Sequence, residues 1–155
     1  MLVQRALGLG ARRYFRSSNR IFPLFYAVAY FSIWHSGEGW VLATADVAIG
    51  VDLESRLSLP GWSDPVWALS DGERKELESG RDDRVLTEIW TAKEAVGKAI
   101  GVGLQARPTA IDSWPMPSEP SRRRVKMPSG HGAVAQLDSH GIWWGNYHVR
   151  IAWAL

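Results

Sequence analysis

Val47-Ala48-Ile49-Gly50-Val51-Asp52-Leu53-Glu54 alternates without a break: the odd positions are aliphatic, the even ones small or acidic. A period of two is the signature of an extended strand whose side chains point alternately to opposite faces. One face is therefore committed to a core, and the other carries Asp52 and Glu54 on the same side, about 6.6 Å apart along the strand. Ala48 and Gly50 leave space beside them. Two hard carboxylates sharing one opening suit magnesium, which takes a few carboxylates and fills its shell with water and substrate phosphate. The other reading of an Asp-x-Glu pair is a solvated strand face.

Upstream, the aliphatic run 40–45 reads as a second strand, joined to 47–54 as a hairpin near Asp46. Downstream, Ser70-Asp71-Gly72-Glu73 has the serine and glutamate of a capping box, so a short polar helix starts after Ser70 and ends near Gly80. From 82 to 100, Leu86, Ile89, Trp90, Val96 and Ile100 recur at three- and four-residue steps, the stripe of a long amphipathic helix. Lys93 falls inside that apolar arc, where it either snorkels to water or meets an anion at the core edge. Glu94 and Lys98 form an i,i+4 pair, and Gly101-Val102-Gly103 ends the helix.

Five of the eight prolines lie between 105 and 130, together with the basic run Arg122, Arg123, Arg124 and Lys126, which reads as loop. Segments 133–137 and 147–154 read as strands around a turn at Ser139-His140-Gly141. The order strands, helices, strands predicts an α+β fold: an antiparallel sheet packed against a long helix.

The 155 residues, 46% of them hydrophobic, are enough for one globular domain. The absence of cysteine excludes disulfides, thiolate nucleophiles and cysteine-ligated metal sites, and fits a cytoplasmic setting. His131, His140 and His148 stand nine and eight apart, which matches no familiar zinc spacing. Residues 1–37 carry five arginines and no acid, so the remaining chain is net acidic. That start, followed by the apolar run 21–34, has the outline of a targeting segment, but Pro23 and Ser32 interrupt it and a bilayer span needs about 20 apolar residues. Nine tryptophans beside basic residues are the ingredients of a nucleic-acid binder, yet Trp34, Trp90 and Trp153 lie in apolar segments where core packing accounts for them. Neither a membrane nor a nucleic acid is expected as a partner.

Gly50-Val51-Asp52-Leu53-Glu54 and, about 40 residues later, Trp90-Thr91-Ala92-Lys93-Glu94-Ala95-Val96-Gly97-Lys98 together resemble the two signatures of the 4'-phosphopantetheinyl transferase superfamily. Trp34-His35-Ser36 resembles the Ser-His-Ser motif of its Sfp-type branch, with tryptophan in place of the first serine. Asn19-Arg20-Ile21 stands where that branch often has Gly-Lys-Pro. Enzymes of this branch join two similar halves in a longer chain, so the resemblance implies an N-terminally shortened member with an incomplete first half. The division expected is a basic arm over 1–18 and a transferase-like domain over 19–155.

What the resemblance implies is magnesium-dependent transfer of the phosphopantetheine arm of coenzyme A to a serine of an acyl or peptidyl carrier protein. Asp52, Glu54 and Glu94 would hold magnesium; Glu94 and Lys98 would be catalytic; Arg20, His35, Ser36, Lys93 and Lys98 would bind the substrate. The basic run 122–126 would steer an acidic carrier protein. A degenerate remnant that only binds coenzyme A or a carrier protein is the alternative, and the incomplete half implies a surface for self-association into a homo-oligomer.

Overall fold

The computed structural model describes residues 30–56, 68–78, 82–103, 108–128 and 134–153. The basic arm, Arg20 and the boundary at 19 lie outside the described residues. Among those described are seven strands, two α-helices and a short 3-10 turn at Pro108–Ala110. No described helix is long and apolar enough to cross a membrane.

β1 (Tyr30–Ser36) and β2 (Gly39–Ala45) form a two-stranded antiparallel ladder closed at Gly37, whose φ of 54° is one that a side chain resists. β3 (Ile49–Ser55) belongs to a second, five-stranded antiparallel sheet with β4 (Asp112–Met116), β5 (Glu119–Pro128), β6 (Val134–Trp144) and β7 (Tyr147–Trp153), in the order β3-β7-β6-β5-β4. The hairpin expected between 40–45 and 47–54 is thus corrected: β2 turns back on β1, and β3 pairs with β7, placing Asp52 opposite Arg150 and Glu54 opposite His148. β3 is an edge strand whose Val51 and Ser55 N–H groups donate to the hydroxyls of Ser32, at 2.9 Å, and Ser36, at 3.3 Å. Side chains of β1 thereby cover an edge that would otherwise be open for pairing.

α1 (Asp71–Glu78) starts as its capping box dictates, with Glu73 N–H donating to Ser70 Oγ and Ser70 N–H to Glu73 Oε2. α2 (Asp83–Ala99) begins at Asp82, whose carboxylate accepts from Arg84 N–H at 2.8 Å, and ends before Gly101 at φ 78°. Ala92, Ala95, Val96 and Ala99 of this helix pack on Ile111, Val125, Met127, Leu137 and Ala152 to make the main core; Leu69, Leu77, Leu86 and Ile89 form a second cluster under α1.

Two further expectations are corrected. The proline-rich stretch is not loop but the β4–β5 hairpin, tolerable because Pro115 sits on the outermost strand, where a missing N–H breaks no inner ladder. Ser139-His140-Gly141 is not a turn either: β6 runs through it and turns at Gly145, φ 59°. Gly141 is small for a different reason, since a Cβ there would stand 2.6 Å from both the Arg150 guanidinium and His148 Nε2, two buried side chains that cross it.

Candidate active site

Asp52 stands at the middle of β3 on the face covered by α2 and has no exposed surface. The helix comes that close only because of Gly50, where a Cβ would fall 2.0 Å from Ala95 O and 2.5 Å from Ala99 N. Gly50 is therefore not a gap beside the carboxylates but the contact at which helix and strand touch. The same contact brings the last turns of α2 over the strand, and Lys98 Nζ donates to Asp52 Oδ1 at 2.6 Å. Glu94, one turn earlier, lies 4.0 Å from the same ammonium through Oε2. Glu54 accepts from Ser36 Oγ at 3.0 Å.

Trp34 completes the cluster. Alternation along β1 turns Ser32, Trp34 and Ser36 to one side, and the Trp34 ring lies over Lys98 Nζ at 3.4 Å from its centroid. Read from the sequence as a core residue, Trp34 instead roofs the site at 37% exposure. Its position two residues before Ser36 on a strand was the signal that could have found it.

Asp52 and Glu94 thus share one ammonium, whose charge Glu54 also feels. Burial raises the Asp52 carboxyl from 3.8 to about 7 against the opposing pull of Lys98. Burial also raises Glu54, opposed by Ser36, Lys98 and Trp34, and raises Glu94, opposed by Lys98. Asp52 Oδ2 is buried without a hydrogen-bond partner. Fully ionised, the cluster has two negative charges more than Lys98 balances, and an orphaned carboxylate oxygen, a combination that fits a divalent cation. As the side chains stand, no group of three or more histidine or acidic residues among the described residues is arranged to hold one, since Lys98 and Ser36 are already bound to two of the carboxylates.

Lys93 is elsewhere. It is fully buried, donates to Ala68 O at 2.7 Å and Pro108 O at 2.9 Å, and pairs with Glu73 Oε2 at 2.5 Å. Glu73 Oε1 in turn accepts from the Ser113 N–H and hydroxyl, at 3.0 and 2.8 Å. The anion that Lys93 meets is internal, which corrects the expectation that it reaches a phosphate. His35 is exposed, and its ring stacks on that of Trp34 with centroids 6.2 Å apart. The basic run is also not a free patch: Arg122 and Arg124 pair with Asp138, and buried Arg123 forks onto Glu76 at 2.9 and 2.6 Å.

The model of the 4'-phosphopantetheinyl transferase superfamily matches residues 48–152, from the start of the carboxylate strand to the end of β7. No curated protein gives a significant match.

Proposed function

The chain belongs to the 4'-phosphopantetheinyl transferase superfamily, and on that premise we propose that it transfers the phosphopantetheine arm of coenzyme A to a serine hydroxyl of an acyl or peptidyl carrier protein. The pairing of Asp52 and Glu94 with Lys98, with Glu54 close enough to couple to Asp52, carries this reading. The serine oxygen attacks the phosphorus on the pantetheine side of the pyrophosphate, the bridging P–O bond breaks, and adenosine 3',5'-bisphosphate leaves.

Asp52, Glu54 and Glu94 would hold magnesium, which when bound neutralises pyrophosphate charge. Glu94, on the helix rather than the strand, takes the serine proton directly or, because a carboxylate shared with a cation is a weak base, through one bound water. Lys98, the shared cation of the cluster, turns to the phosphates when substrate arrives. Ser36 offers its hydroxyl to the same anion. His35, exposed beside Ser36, and Arg20 are the residues we assign to the outer phosphates of coenzyme A, on the strength of the motifs they stand in. Those motifs also support placement in the Sfp-type branch. Lys93 receives no substrate role, because its ammonium is spent on internal partners.

The test is intact-mass spectrometry of a panel of apo carrier proteins incubated with this protein, coenzyme A and magnesium. A gain of one phosphopantetheine arm that disappears without magnesium is the expected result. Coenzyme A binding with no mass gain on any carrier would leave a binding protein in place of an enzyme.

A further inference from the structure

In the proposed reaction Trp34 has no task, yet it is the best anchored aromatic side chain near the cluster. It sits between two seams on β1: Ser32 Oγ holds Val51 N–H on one side, and Ser36 Oγ holds Ser55 N–H and Glu54 on the other. The β1 backbone that carries the ring cannot slide along β3 without breaking one of them. Its face is spent on the Lys98 ammonium, 3.4 Å away.

We propose that Trp34 sets the divalent-cation affinity of the site by seating Lys98 on Asp52 as an internal stand-in for the metal. This rests on the metal assignment made above. Lys98 and an incoming ion compete for the same carboxylate, because an ammonium 2.6 Å from Asp52 Oδ1 repels a second cation from its free Oδ2. The ring face attracts the ammonium through its quadrupole and opposes its departure. An ion that binds Asp52 is therefore opposed until Lys98 leaves both the carboxylate and the ring, and the lysine leaves most readily when a pyrophosphate gives it a new anion. Metal and pyrophosphate binding are thereby coupled, and Trp34 is a positioning residue that sets the strength of that coupling.

Calorimetric titration of the full chain with magnesium, and with magnesium after saturation by inorganic pyrophosphate, tests this in the wild type, Trp34→Phe and Trp34→Leu. Trp34→Leu is expected to bind magnesium alone about three- to tenfold more tightly than the wild type. Trp34→Phe, which keeps an aromatic face without the N–H, should fall between them and serves if the leucine variant does not fold. The enhancement by pyrophosphate should shrink in the same order. Part of the tryptophan emission should change with magnesium in the wild type and not in Trp34→Leu. Equal or weaker magnesium binding by folded variants would overturn the role of Trp34 and leave the metal site standing. Binding by no version of the protein would overturn both.

Discussion

Replacing Gly50 by alanine would press a methyl group into the backbone of α2, 2.0 Å from Ala95 O, at a contact that no side-chain rotation relieves. The expected cost is about 1–3 kcal/mol or more, and it should displace Lys98 from Asp52 along with the helix. Denaturant unfolding of Gly50→Ala checks it, and wild-type stability would mean that helix and strand do not touch there. At Asp52 the expectation concerns pH. Because the folded carboxyl titrates near 7 against an ordinary 3.8, the fold holds that proton more tightly than the unfolded chain does. The associated stability is complete below 3.8 and is lost as pH rises toward 7. Metal-free wild type should therefore weaken over that interval, Asp52→Asn should weaken less, and magnesium should restore the wild type at the alkaline end. A pH-independent wild type would contradict the burial argument. The pairing of Asp52 with Glu54 was legible in the sequence because a period of two admits one arrangement of faces. The roles of Gly50 and Trp34 were not, since a glycine in a strand gives no sign of which backbone approaches it, and a tryptophan looks alike in a core and over an ammonium.

Among the elements, α2 was the most legible, because an apolar stripe of seventeen residues has no competing period. What the stripe concealed is that residues 91–97 are buried on every side: the sheet covers one face, and the α1 network covers the face that carries Lys93. Lys93→Met should leave Glu73 as an uncompensated buried charge and cost about 3–5 kcal/mol, while the double change with Glu73→Gln should recover part of it. Chemical denaturation of the three variants checks this. A Lys93→Met protein of normal stability that has lost only its affinity for coenzyme A would contradict it and restore the phosphate role. The β4–β5 hairpin was illegible because four prolines and an arginine run carry the composition of a loop. Only the ladder shows Pro115 on the outermost strand and the arginines matched to Asp138 and Glu76.

Across the whole molecule, one arrangement brings the site together. An edge strand supplies two carboxylates, a helix laid across it supplies a third with the lysine, and a separate two-stranded ladder closes the edge with two serines and a tryptophan. The α+β class was readable from element order, whereas the pairing of β3 with β7 rather than β2 was not, because aliphatic strands carry no label of their partner. β1 and β2 leave Phe31, Ile33, Trp40 and Leu42 exposed, and it is on these side chains that the expected self-association would rest.

The most direct test of the claim that this cluster is a reaction centre is intact-mass spectrometry of an apo carrier protein incubated with coenzyme A, magnesium and either the wild-type chain or Asp52→Asn. The account predicts addition of one phosphopantetheine arm by the wild type and none by the variant, with both folded by circular dichroism. Equal modification by the two proteins would contradict it.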